Sequence, residues 1–201
     1  MIDAHLLPLQ RVALRPLAEW LAQRGVSADA LSVAGFGIGV LAVPALAAGQ
    51  WGLALVLVLA NRLLDGLDGA VARINGPTDR GAFLDIALDF MFYALIPVGF
   101  ALHDPAPNGL PAAVLIAAFV GTGSSFLAFA AIAAKQGRAA AAFPTKGIHY
   151  LGGLTEGFET MATFVAMCLF PALFAPLAYG FAAACAVTTV LRWHQGWNTF
   201  R

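Results

Sequence analysis

The sequence predicts an all-α integral membrane protein, with six transmembrane helices preceded by an amphipathic helix lying in the membrane interface. Three observations carry that expectation. Of 201 residues, 60% are apolar with glycine left out and 11% are charged, whereas a soluble domain is roughly half apolar with glycine counted and about a quarter charged. Six windows of about 20 mostly apolar residues, the length that crosses a hydrocarbon core, follow one another at approximately 30–48, 51–72, 81–102, 110–134, 150–170 and 172–191. The cationic side chains all fall on one side of those windows.

That one-sidedness sets an orientation. With both termini and the connectors at 73–80 and 135–149 on one face, Arg11, Arg15, Arg24, Arg62, Arg73, Arg80, Lys135, Arg138, Lys146, Arg192 and Arg201 all lie there. By the positive-inside rule that face is cytoplasmic. The opposite connectors, near Gly49, His103–Gly109 and Pro171, carry only Asp104. The whole chain, 1–201, reads as a single membrane domain: an interfacial helix within 1–25 and six spans within about 30–191.

Composition also excludes functions. Eleven Lys+Arg balance eleven Asp+Glu, so no basic excess is left for nucleic acid. Cys168 and Cys185 sit in apolar runs with no CxxC or Cys/His spacing, which sets aside a disulfide framework or a zinc site. The opening segment has no continuous apolar stretch of the kind a cleavable signal needs. No internal repeat supports an inverted-repeat transporter.

Taken in order, Leu6, Leu7, Leu9, Val12, Leu14, Leu17, Trp20 and Leu21 against Arg11, Arg15, Glu19 and Arg24 give the interfacial helix, which Pro8 and Pro16 interrupt. The second and third spans carry the acids. In the fourth, Gly121, Gly123, Ser124 and Ser125 suit close helix packing within or between protomers. Glu156 and Glu159 open the fifth beside glycines 152, 153 and 157. Trp193, His194 and Trp197 follow the sixth as an interfacial belt.

Four of the eleven acids, Asp65, Asp68, Asp85 and Asp89, fall in one stretch at membrane depth, where an ionised carboxylate costs at least ~2.5 kcal/mol. Spacings of three and four put each pair on one helix face. The short connector makes the two helices antiparallel neighbours, so the acidic faces meet. Converging carboxylates repel unless divalent cations neutralise them, and oxygen ligands without cysteine select magnesium, manganese or calcium. Gly66 and Gly69, each following an aspartate, and small Ala72 leave room for a ligand at the backbone. Arg73 stands one turn nearer the cytoplasm, within reach of phosphate oxygens.

The string Asp65-x2-Asp68-Gly69-x2-Ala72-Arg73-x7-Gly81-x3-Asp85-x3-Asp89 resembles the signature of the CDP-alcohol phosphotransferases (CDP-alcohol phosphatidyltransferases). The usual spacing after the arginine is one residue longer, a difference that falls in the connector NGPTDR and not among the ligands. Where the family often carries T-P-N-x-L-T before the first span, this chain has Ser27-Ala28-Asp29-Ala30-Leu31-Ser32. It keeps a hydroxyl, a short polar side chain and the leucine, and lacks the proline and asparagine. A six-span topology with an amphipathic N-terminal helix also matches the family.

The resemblance implies phospholipid biosynthesis: attack of an alcohol hydroxyl on CDP-diacylglycerol, giving a phosphodiester and CMP. It implies two divalent ions, Mg2+ or Mn2+, held by Asp65, Asp68, Asp85 and Asp89, with Asp89 also the general base. Gly69 and Ala72 would border the nucleotide and Arg73 a phosphate. The expected partners are CDP-diacylglycerol or another CDP-alcohol, a small polar alcohol, membrane lipids and, as in many family members, a second copy of the chain. The expected place is a bacterial inner (cytoplasmic) membrane, with the active site facing the cytoplasm.

For the acceptor, Glu156 and Glu159 favour an amino alcohol or uncharged polyol, whereas Lys135, Arg138, Lys146 and His149 would draw in a phosphorylated one. The glutamates weigh slightly more, because cytoplasmic cations already have a reason in topology. Competing readings are transfer from CDP-choline or CDP-ethanolamine to diacylglycerol, a divalent-cation transporter, and a catalytically dead scaffold. The outer halves of the spans offer no polar path for transport, and the intact aspartates argue against the scaffold.

Overall fold

The computed structural model describes residues 3–137 and 153–200, which are helical apart from short connectors and contain no strand. In chain order the helices are α1 (Asp3–Gln23), α2 (Ala28–Val40), α3 (Ala42–Ala47), α4 (Trp51–Asn75), α5 (Asp79–His103), α6 (Pro105–Lys135), α7 (Gly157–Leu169) and α8 (Phe174–Thr199), with a 3-10 turn at Pro171–Leu173 before α8.

The amphipathic opening segment folds as one helix that runs on through Pro16. Its Ala18 is fully buried and packs, with Leu14 and Leu21, against Leu31 of α2 and Leu67, Ala70 and Val71 of α4. Val12 and Trp20 on α1 are exposed. The first apolar window becomes two helices meeting at Leu41. Pro44 has no N–H to return to the Val40 carbonyl, and its ring crowds that carbonyl, so the helix bends there. Ser27 caps α2 by accepting from the Ala30 amide at 3.2 Å, as a hydroxyl does at this position.

Among the described residues, four stretches are long and apolar enough to cross a membrane: Ala28–Ala47, Asp79–His103, Pro105–Lys135 and Pro171–Thr199. They match the first, third, fourth and sixth expected windows. The second window is α4, whose 25 residues include Arg62, Asp65, Asp68 and Arg73. In the fifth, the helix begins at Gly157 rather than near residue 150 and has 13 residues; 138–152 lie outside the described residues, and Arg138, Lys146 and His149 with them.

One apolar core joins α3 to α8. Phe92, Ile96 and Phe100 of α5, Leu115 of α6, Phe164 and Met167 of α7 and Phe174 of α8 are all essentially inaccessible. Phe100 stacks on Phe174 with centroids 4.4 Å apart, and Phe164 meets Phe92 edge-on at 6.3 Å. Both cysteines are buried and free in this core. In the small-residue patch of α6 the two glycines pack within the chain, since a side chain at Gly121 would press on Thr189 of α8 and one at Gly123 on Phe90 of α5, while Ser124 is exposed. Trp193 and Trp197 project from the end of α8, 62% and 78% exposed.

Candidate metal centre

The site is made by the reversal between α4 and α5. Gly76 ends α4 at φ 94°, a left-handed backbone that glycine adopts without a Cβ penalty. Pro77 follows and cannot continue the helix. Thr78 then starts α5 by accepting the Gly81 amide at 3.0 Å. Arg80, in the first turn of α5, donates through Nε to Asp29 of α2 at 2.7 Å, so the reversal is also tied to α2.

This turn sets the acidic faces of α4 and α5 against each other. Carboxylate oxygens of Asp65, Asp68 and Asp85 lie within 4.8 Å of one another. Asp68 is buried and accepts the Ser32 hydroxyl at 2.5 Å. Asp65 is half-buried, with Arg62 Nη1 at 2.6 Å from its Oδ2. Asp85 is exposed at the mouth. Asp89, one turn further along α5, is outside this trio but lines the same pocket, together with Ser32, Gly35, Phe36, Asn61 and Leu88. Its Oδ2 accepts the Tyr93 hydroxyl at 3.2 Å and lies 3.9 Å from Arg62 Nη1. Asn61 donates to the Gly35 carbonyl at 3.0 Å, joining α4 to α2 beside the pocket.

Three carboxylates this close, with no cysteine or histidine among them, form a donor set suited to a hard divalent cation. Ser32 fixes one of the three in orientation, the role an outer hydrogen bond plays at metal centres. The residues present therefore fit the ion the motif implies.

At Gly69 a Cβ would meet only Arg73 Nη1, at 3.4 Å. Gly69 and exposed Arg73 thus border one patch, with Ala72 half-buried alongside. Gly66 faces α1. A side chain there would collide with Gln10 and Leu14 of α1, so this glycine lets α1 cross α4 closely. Glu156 and Glu159 are not among the pocket-lining residues. They form a reciprocal capping box at the start of α7, in which Glu159 Oε2 accepts the Glu156 amide at 3.0 Å; Glu156 Oε1 also accepts the Gly153 amide at 3.2 Å. Amides left open at a helix start give these carboxylates a local reason for their position.

Sequence reasoning missed Arg62, Tyr93 and Asn61. The signal for Arg62 and Tyr93 was present: each lies three or four residues from a motif aspartate, on the same helix face. Ser32 entered the sequence reading only as the last residue of the Ser27–Ser32 run, because its contact with Asp68 joins segments far apart in the chain.

A model of the CDP-alcohol phosphatidyltransferase family matches residues 26–195. Over 201 residues the chain is 52% identical to Inner membrane protein YnjF of Escherichia coli, covering 100% of this chain and 98% of that protein. It is 33% identical over 96 residues to archaetidylinositol phosphate synthase of Pyrococcus horikoshii, covering 47% of this chain and 51% of that one. Its fold is shared with phosphatidylinositol phosphate synthase of Mycobacterium tuberculosis. The structure of that enzyme with CDP-DAG bound superposes with a TM-score of 0.73 at 22% identity, over 91% of this chain and 92% of that one. Its complex with manganese and citrate gives 0.70 at 23% identity, over 91% and 88%. With the family model spanning all but the ends of the sequence, and a relative alike over the full length, the chain is an integral membrane protein of the CDP-alcohol phosphatidyltransferase family.

Proposed function

We propose that this protein transfers a phosphatidyl group from CDP-diacylglycerol to a small polar alcohol, with release of CMP, in phospholipid biosynthesis. The observation that carries the reading is the convergence of Asp65, Asp68 and Asp85 between α4 and α5, inside the segment the family model matches. Two divalent ions, Mg2+ or Mn2+, are assigned to these three aspartates and Asp89. Such ions, when bound, supply positive charge to a pyrophosphate and its leaving CMP.

The chain's own residues do the rest. Asp89, positioned by Tyr93, takes the proton of the attacking hydroxyl as general base. Arg73 holds a phosphate oxygen of the donor, and Gly69 and Ala72 let the nucleotide lie close to α4. Ser32 keeps Asp68 turned into the pocket. Glu156 and Glu159 are proposed to border the acceptor with whatever acceptor capacity the helix cap leaves them. Family membership favours this reaction over cation transport, and the CDP-DAG bound to the M. tuberculosis protein of the same fold supports CDP-diacylglycerol over CDP-choline or CDP-ethanolamine as the proposed donor.

The same proposal places the protein as one domain over 1–201 in a bacterial inner membrane, as its E. coli relative's name states for that protein. α1 lies in the cytoplasmic interface, α4 and short α7 complete six spans, and the site opens to the cytoplasm. A second copy of the chain is the proposed partner. The test is CMP release by purified protein given CDP-diacylglycerol, Mg2+ or Mn2+ and a panel of free and phosphorylated alcohols. CMP formation dependent on one alcohol and on the metal is the expected result; none with any alcohol, while a CDP-alcohol and diacylglycerol do react, would reverse the donor assignment.

A further inference from the structure

The acid cluster contains one cation that the signature does not account for. Arg62 precedes Asp65 by one turn of α4 and lies outside the motif positions. Its Nη1 is 2.6 Å from Asp65 Oδ2 and 3.9 Å from Asp89 Oδ2, with 32% of the side chain exposed. It therefore bridges α4 and α5 inside the acid cluster, paired with a carboxylate on each. Asp89 Oδ2 already receives the Tyr93 hydroxyl. The four carboxylates are thus unequal: Asp65, Asp68 and Asp85 bring oxygens within 4.8 Å of one another, whereas Asp89 stands outside that trio and shares the Arg62 guanidinium with Asp65.

A divalent ion at the Asp65–Asp68–Asp85 trio has three carboxylates and contends with Arg62 at one of them, Asp65. A second ion that uses Asp89 must share both Asp65 and Asp89 with Arg62. Like charges contending for the same two carboxylates oppose each other directly. Resting on the metal reading above, we infer that Arg62 is a positioning residue that sets metal occupancy: it holds Asp89 in place and competes with a second divalent cation for Asp65 and Asp89. The first divalent ion takes the trio, and the second binds weakly as long as the guanidinium remains between the two helices.

The experiment is a Mn2+ titration of the purified protein in detergent, with free Mn2+ read from its electron paramagnetic resonance signal. The proteins compared are wild type, Arg62→Gln, Arg62→Met, Arg62→Lys and Asp68→Asn, each checked for folding by metal-free thermal unfolding. Wild type is expected to take up one ion tightly and a second much more weakly. Whichever neutral variant is folded should tighten the weaker step by about tenfold or more and change the tighter step less. Arg62→Lys, which keeps a charge, should retain the wild-type pattern. Folded neutral variants with unchanged or uniformly weakened binding overturn the inference, and so does Arg62→Lys behaving like Arg62→Gln. Failure of the metal centre itself looks different: wild type and Asp68→Asn would then bind Mn2+ equally poorly.

Discussion

Asp68 is the aspartate whose surroundings leave it least freedom, buried and held by Ser32 from another helix. Replacing it with Asn keeps an oxygen for that hydroxyl but removes the charge a divalent ion needs. Asp68→Asn is therefore expected to lose Mn2+ uptake and CMP release together while unfolding at a similar temperature. Asp89 has a different set of partners, Tyr93 and Arg62, and a different expectation. Loss of a general base lowers turnover by ~10²–10⁴-fold, so Asp89→Asn should show that drop at saturating metal while the Michaelis constant for the donor changes little. At this scale the aspartates were legible because spacings of three and four force side chains onto one helical face. Gly66 was misread because its neighbours come from a segment far away in the sequence: Gln10 and Leu14 of α1 take the space a side chain there would fill, whereas α1 does not reach Gly69, three residues on.

At the scale of elements, the two glycines of α4 separate packing from binding. Gly66→Leu has to push α1 away at Gln10 and Leu14, and overpacking of this kind costs about 1–3 kcal/mol, visible as a lowered unfolding temperature in detergent. Gly69→Ala meets only the tip of Arg73 and removes a helix-interior glycine worth about 0.5–1 kcal/mol. It should leave stability unchanged or raised while the Michaelis constant for the CDP donor increases. The α7 cap offers a parallel separation. Glu156→Gln retains a carbonyl oxygen for the cap, so little of the roughly 0.5–2 kcal/mol that a lost cap costs should be seen, and a raised Michaelis constant for the acceptor alone would support its binding role. An unchanged constant would leave the pair as a helix cap only. Hydropathy located the long apolar helices well, because length and apolarity are additive along the chain. It placed the start of α7 too early, because apolar residues before a helix look like those inside it, and glutamate is an uncommon residue at the capping position.

For the whole molecule, orientation is testable with its own thiols out of the way, since Cys168 and Cys185 are buried. Asn75→Cys, at the exposed end of α4, should react with a membrane-impermeant maleimide only from the cytoplasmic face of vesicles. Ala106→Cys, in the exposed first turn of α6, should react only from the other; the reverse pattern would invert the topology. The charge asymmetry behind that expectation is a property of the whole chain and needs no structure, whereas the packing order of the helices depends on pairings between segments far apart in sequence. α4 shows what that packing provides. Its N-terminal part, at Ala54 and Val58, is set in the main core, and its C-terminal part, at Leu67, Ala70 and Val71, in the separate cluster against α1. Asn61, Arg62 and Asp65 lie between these two anchorages. The charged middle of α4 is consequently held like a beam fixed at both ends, its side chains preorganised by apolar contacts that none of them makes, so a cavity opened at Val58 or Val71 would be felt as a loss of geometry in the acid cluster a helical turn or two away.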